Sequence, residues 1–225
     1  MPPVWTHLKC RNNLVADETQ RDPVTLTYGR VRYVPEVSIF QAPPDAGLWD
    51  TSGGEYHSER PPPFWAFAWP GGQALGRHVL DHPPSVAGRR VLDFAAGGGI
   101  AAIACALAGA ADVEAAEIDP LARTAIALNA AKNGVRVSVL GDVVGSSCRW
   151  DVILCGDVCY EAPMTAHILP WLSRMAEQAE VWIADPGRAY LPHDRLAAFA
   201  TYRVPTCLEL EDRTERQVTL YRLLG

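Results

Sequence analysis

Lysine is almost absent from this chain: Lys9 and Lys132 stand among many arginines, and 20 basic residues are outnumbered by 26 acidic ones. The net charge of -6 leaves no electrostatic footprint for a nucleic-acid backbone, which argues against the basic DNA- and RNA-binding classes. Paired cysteine motifs are missing as well. The six cysteines (Cys10, Cys105, Cys148, Cys155, Cys159 and Cys207) contain no CxxC pair, and no His/Cys group has zinc spacing. They read as free thiols in a reducing compartment, with no metal site. The first residues, MPPVWTHLKC, show neither a basic segment leading into an apolar one nor an Arg/Ser-rich amphipathic presequence, so secretion is not expected. The uncharged stretch 94–111, FAAGGGIAAIACALAGAA, approaches membrane-spanning length, but its glycines at one end and its alanine bulk fit a loop and a short buried helix. No membrane span is expected. Scarce lysine and abundant alanine point to a GC-rich genome and a cytoplasmic setting.

What is present is a globular composition, 48% hydrophobic and 20% charged over 225 residues, enough for one sizeable core with a lead-in. Residues 1–60 are the least regular part and read as an N-terminal cap, with strands at TLTYGRVRYV and EVSIF, ahead of a main domain over 61–225. The segment 61–84 packs four aromatics and two glycines into the entry of a helix over 72–81, with Trp65, Phe67 and Trp69 alternating as on a strand. From residue 90 the pattern alternates. Strands are expected at 90–95, 112–117, 135–140, 151–156 and 180–185, and helices at 99–109, 120–133, 163–177 and 192–200. Such alternation predicts a doubly wound α/β sheet, because each parallel connection needs a crossover. YRVPTCLEL and RQVTLYRLL, joined by EDRTER, add a terminal antiparallel hairpin and bring the sheet to seven strands.

In such sheets the ligand lies beyond the carboxyl ends of the strands, where the first βα loop approaches it. Gly97, Gly99 and Ala102 fit G-x-G-x-x-A, and Glu117 ends the second strand at the distance that grips a ribose hydroxyl pair. Both NAD and S-adenosylmethionine meet that description. Asp93, four residues before Gly97, separates them: a pyrophosphate gains nothing from a nearby anion, whereas a sulfonium with a free ammonium group does. Asp142, after the third strand, can accept from an adenine amino group or cap its own turn. The fourth strand ends in CGDVCYE. Asp157 and Tyr160 leave its carboxyl end, where a carboxylate and a phenol can orient an amine and help it lose a proton, or else cap and pack the next helix. His78, His82 and His193 cluster with nothing recognisable, and Asp185 to Arg188, ADPGR, reads as a strand-ending turn with Arg188 open to a substrate contact.

The segments PPFWAFAWPGGQALGRHVLD, VLDFAAGGGIAAIACALAGA, EIDPLARTAIALNAAKNG, WDVILCGDVCYE and IADPGR resemble the seven-strand, class I S-adenosylmethionine-dependent methyltransferases. Within these they resemble the electron transfer flavoprotein beta-subunit lysine methyltransferases. WPGGQAL and GDxxYE carry most of the resemblance, since a cofactor fold alone requires neither. The resemblance implies a Rossmann-like methyltransferase sheet, S-adenosylmethionine as cofactor, and a monomer acting on lysines of a protein partner, the flavoprotein beta subunit first. It implies that Asp93, Gly97, Gly99 and Glu117 contact the cofactor with Trp69 beside it, and that Asp157 and Tyr160 serve methyl transfer. Two positions depart from the family pattern. Ala95 replaces a usual glycine, at a cost of about 1 kcal/mol if its φ is positive, and Cys159 replaces an aromatic, which implies a smaller wall beside the substrate lysine. IDPLARTAIALNAAKNG is also similar to the ribosomal protein L11 enzymes, and an NAD-linked oxidoreductase or a non-catalytic binding module are the other classes considered.

Overall fold

The computed structural model describes residues 26–43 and 63–225, apart from the side chains of Glu209 and Leu210. Most of the expected cap, together with Cys10 and the turn-rich segment 44–62, lies outside the described residues. The two strands expected in the cap appear as an antiparallel hairpin, β1 (Thr27–Val31) and β2 (Val34–Gln41). Val31, Val34, Val37 and Ile39 of this hairpin are fully buried in the main core. The outer edge of β2 is closed by side chains instead of a third strand: Ser38 N–H donates to Asn133 Oδ1 (2.9 Å) and Phe40 N–H to Asn129 Oδ1 (2.8 Å). That leaves fewer open edge groups for another chain to pair with.

The main sheet follows the expected alternation. Strands β3 (Arg90–Phe94), β4 (Asp112–Ala116), β5 (Ser138–Leu140), β6 (Val152–Gly156) and β7 (Glu180–Asp185) run parallel, and β8 (Leu196–Pro205) and β9 (Glu215–Leu223) close one side antiparallel. The order is β5-β4-β3-β6-β7-β9-β8. α1 (Pro70–Asp81) leads into β3, and the crossovers carry α2 (Ile100–Leu107), α3 (Pro120–Lys132) and α4 (Ala162–Ala176). α3 starts as its sequence dictates, with the Asp119 side chain accepting from Leu121 N–H and Pro120 at the first position. Neighbouring positions on β3 face opposite layers: Val91 joins the core under α1 and α2, and Leu92 the core under α4. Each such fully buried aliphatic contributes roughly 1.5–3 kcal/mol.

Three expectations fail locally. The helix expected over 192–200 is a single 3-10 turn, His193–Arg195, followed by β8. The alanines of LAAFATY carry no strand signal, and pairing with β9 from Leu196↔Leu223 to Pro205↔Glu215 overrides local propensity. The hairpin's first strand consequently ends at Pro205, and Leu208–Glu211 forms a short helix, α5, in its connection. The segment 64–69 is not a strand; Phe64–Ala66 form a 3-10 turn that places Trp65 and Phe67 in a small core with Ala122 and Ala125. The histidines also do more than the sequence indicated. His78 and His82 stack at 4.6 Å, and His78 Nδ1 meets the Tyr202 hydroxyl at 2.8 Å. Burial, then the neighbouring His82, pushes the His78 pKa down to about 4, so it packs as a neutral ring.

Candidate active site

A pocket gathers at the carboxyl ends of β3 and β6, where the strand order reverses. Phe67, Trp69, Gly72, Asp93, Ala95, Ala96, Gly97, Gly98, Ile100, Ala101, Gly156 and Asp157 line it.

One wall is the loop after β3. Its backbone turns left-handed at Ala95 (φ 55°), Gly97 (φ 54°) and Gly99 (φ 81°), so the strain conditional on Ala95 is present. Gly99 sits behind the pocket as the residue that opens α2. Asp93 is 3% exposed and its Oδ2 accepts from Ala102 N–H at 2.8 Å, which ties β3 to the first turn of α2 through the small third position of the motif. Burial raises the Asp93 pKa to about 7, with Glu117 adding to the rise. Glu117 lies under the loop. Its Oε2 accepts from Gly97 N–H (3.0 Å) and its Oε1 from Ile118 N–H (2.8 Å), and burial raises its pKa too. Asn129, fully buried on α3, donates to Gly98 O at 2.9 Å while accepting from Phe40, so the N-terminal hairpin and the glycine loop share one side chain.

The other wall is the end of β6. Asp157 adopts φ 55°, a conformation aspartate tolerates, and is 9% exposed. Its Oδ2 accepts from Gly71 N–H at 2.5 Å, at the positive end of α1, and its Oδ1 pairs with Arg188 Nη2 at 3.0 Å. Burial raises the Asp157 pKa to about 6, against the opposing charge of Arg188. This contact explains why WPGG and GDxxYE occur together. A Cβ on Gly71 would lie 2.5 Å from Asp157 Oδ2 and 2.8 Å from Ala184 O. The α1 N-terminus can approach the strand ends so closely only as glycine.

The remaining predicted residues divide. Tyr160 stands at the rim, 41% exposed, with its ring 5.6 Å from Phe64, which in turn lies 5.9 Å from Trp69. The Trp69 indole N–H is spent on Phe64 O (2.7 Å), leaving its face for the pocket. Asp142 is exposed, does not line the pocket, and accepts from Val144 N–H within its own turn. Cys159 makes no wall for a substrate: it is fully buried in the core under α4, its pKa pushed up to about 12 by burial. Arg188, expected to be open to substrate, turns inward to Asp157 and Glu211. Glu211, Asn129 and Phe64 gave no sequence signal, being single residues in α5, α3 and a 3-10 turn whose importance arises only in three dimensions. Among the described residues no three His, Cys, Asp or Glu side chains group as metal ligands, and no helix is long and apolar enough to cross a membrane.

The electron transfer flavoprotein beta subunit lysine methyltransferase of Xenopus laevis is 34% identical to this chain over 197 residues, 83% of the chain and 74% of that protein. The chain belongs to the electron transfer flavoprotein beta subunit lysine methyltransferase family. The family member from Danio rerio is 39% identical over 160 residues, which cover 69% of this chain and 61% of its own length. Residues 78–159 also match the family model of ribosomal protein L11 methyltransferase (PrmA). Magnesium protoporphyrin IX methyltransferase from Synechocystis PCC 6803, solved with bound SAM, shares the fold at a TM-score of 0.52 and 18% identity, over 68% of this chain and 79% of that one.

Proposed function

We propose that the chain is an S-adenosylmethionine-dependent protein-lysine N-methyltransferase and that its substrate is the electron transfer flavoprotein beta subunit. The observation that carries this is the meeting, in one pocket, of buried Asp93 beside the glycine loop and Asp157 at the end of β6. Acid on both walls suits a cationic ligand and repels the pyrophosphate of a dinucleotide. S-adenosylmethionine supplies a methyl group on a positively charged sulfur. In this reading Asp93 faces its ammonium group, Gly97 and Gly99 shape the loop that receives it, Glu117 takes the ribose hydroxyls and Trp69 flanks it, while Asp142, outside the pocket, caps its own turn.

Asp157 and Tyr160 serve the incoming lysine. A lysine ammonium ordinarily titrates near pH 10.4, so it must lose a proton before its lone pair can attack. The Asp157 carboxylate accepts hydrogen bonds from the amine and aims it, while Tyr160, Phe64 and Trp69 form an aromatic mouth that favours a cationic side chain at entry. As the nitrogen–carbon bond forms, the carbon–sulfur bond breaks and sulfur keeps its electron pair. The proton leaves to water at the exposed rim. The match to the L11 family model supports a second reading, a ribosomal protein as substrate.

Purified electron transfer flavoprotein beta subunit and ribosomal protein L11, each incubated with methyl-tritiated S-adenosylmethionine, separate the two. Label in the first alone is expected; label in L11 alone would replace the substrate. Calorimetric titration with S-adenosylhomocysteine and with NAD tests the cofactor. Binding of NAD with none of the thioether would end the methyltransferase reading.

A further inference from the structure

We propose that Arg188, held by Glu211, is a positioning residue that fixes the orientation and the negative charge of the Asp157 carboxylate at the pocket; this rests on the assignment of Asp157 to methyl transfer. The geometry is a buried chain of charges. Arg188 Nη2 lies 3.0 Å from Asp157 Oδ1 and 2.5 Å from Glu211 Oε1. The Glu211 side chain is 2% exposed, and its second oxygen pairs with Arg216 Nε at 2.9 Å. Arg216 Nη2 also donates to the Glu211 carbonyl at 2.9 Å, so the glutamate is fixed at both ends. Arg188 is likewise anchored through its backbone, its N–H donating to Asp185 Oδ1 at 2.6 Å in the turn that ends β7.

Asp157 is therefore gripped from two directions, by Gly71 N–H on Oδ2 and by Arg188 on Oδ1, which fixes the plane of its carboxyl group. The guanidinium is suited to this because its planar fork reaches two carboxylates at once, which a lysine ammonium does not reproduce. Among the described residues, the charged and titratable groups facing Asp157 are Arg188 from the β7 turn, Glu211 from α5 and Cys159 on its own loop, with Asp185 and Arg216 one contact further out. Of these, only Arg188 is a cation in direct contact. Burial and Glu211 both favour the protonated form, and Arg188 opposes them. The C-terminal hairpin, through α5, thus sets the state of a group at the end of β6, the central strand of the sheet.

The test is a carbon-detected NMR titration of the Asp157 carboxyl in the full chain, its resonance assigned by its loss in Asp157→Asn. Removing the contact charge in Arg188→Met is expected to raise the titration midpoint by about one pH unit or more. In methyl transfer to the electron transfer flavoprotein beta subunit, the acid limb of the kcat profile should move by the same amount while KM for S-adenosylmethionine stays unchanged. Arg188→Lys retains the charge and should recover most of the midpoint, and where the methionine variant does not fold, Arg188→Gln, which also removes the charge, takes its place in the same titration. An unchanged midpoint in the charge-removing variant would overturn the proposal, as would an activity loss that is equal at every pH. A shifted midpoint in a protein that methylates no lysine leaves the clamp standing and removes the functional reading instead. Methylation with unmoved titration does the reverse.

Discussion

The two walls of the pocket are held by different physics. The loop after β3 is fixed by neutral N–H donors, with Ala102 on Asp93 and Gly97 on Glu117, and among the described residues no cation is in contact with either carboxylate. The loop after β6 is fixed by charge, with Asp157 facing Arg188, and Glu211 shared between Arg188 and Arg216. A carboxylate without a cation in a buried place is a vacancy for a positive ligand, which the first wall offers. A carboxylate already partnered holds one orientation and stays charged, which suits a group that must aim a nucleophile. On the proposed function, the contrast divides the pocket into a part that binds charge and a part that directs it.

The largest effect should come from breaking the directing wall. Asp157→Asn is expected to lower kcat by about 100-fold or more, the scale of a lost acid–base or orienting group, while the affinity for S-adenosylhomocysteine stays nearly constant. Rapid-quench methyl transfer and calorimetry measure the two; unchanged turnover would remove Asp157 from the reaction. Asp93→Asn should do the opposite, weakening S-adenosylmethionine binding by about 10- to 100-fold, as expected for a lost charge-assisted contact. It should also stabilise the ligand-free protein at alkaline pH. The folded pKa of about 7 lies above the ordinary 3.8, so the stability this group provides is complete below pH 4 and is lost as pH rises through 7. The asparagine variant does not ionise, so its advantage opens across that window and reaches on the order of 4 kcal/mol at pH 8. Equal thermal midpoints for the two proteins at pH 8 would contradict a buried, cation-free carboxylate.

The close approach of α1 to the directing wall gives a paired test. Gly71→Ala, whose Cβ would meet Asp157 Oδ2 and Ala184 O, should cost about 1–3 kcal/mol and depress kcat, whereas Gly72→Ala, with nothing within 4 Å of its Cβ, should change stability by under about 1 kcal/mol. Chemical denaturation of both variants reads the difference, and equal losses would mean that the contact does not set the wall. The smallest effect is expected at Ala95. Ala95→Gly relieves a left-handed alanine and should stabilise the protein by about 0.5–1 kcal/mol in the same measurement; a loss of stability would show that the loop is not strained there.

The same contrast explains what was legible beforehand. The binding wall is built from neighbours in sequence, Asp93 through Glu117, within one strand–loop–helix–strand unit, and its residue types carry a local signature in glycine spacing. The directing wall is assembled from Gly71, Asp157, Arg188 and Glu211 on four separate elements. Its members could be singled out, as Asp157 was, but the partnership between an arginine in a turn and a glutamate in the hairpin connection exists only once β8 and β9 have paired. That pairing is where local reasoning failed, because LAAFATY is composed like a helix and becomes a strand through contacts with residues far along the chain. Asn129 escaped notice for the same reason: nothing in ALNAAKN indicates that this one amide will join β2 to the glycine loop.

The most direct measurement is mass-spectrometric mapping of the flavoprotein beta subunit after incubation with this protein and deuterium-labelled S-adenosylmethionine. Label on a lysine side chain nitrogen, lost in Asp157→Asn though the variant still binds S-adenosylhomocysteine, is the expected result. Label on any other atom, or equal labelling by the unmodified protein and the variant, would contradict a pocket in which Asp157 aims an amine at a methyl donor held beside Asp93.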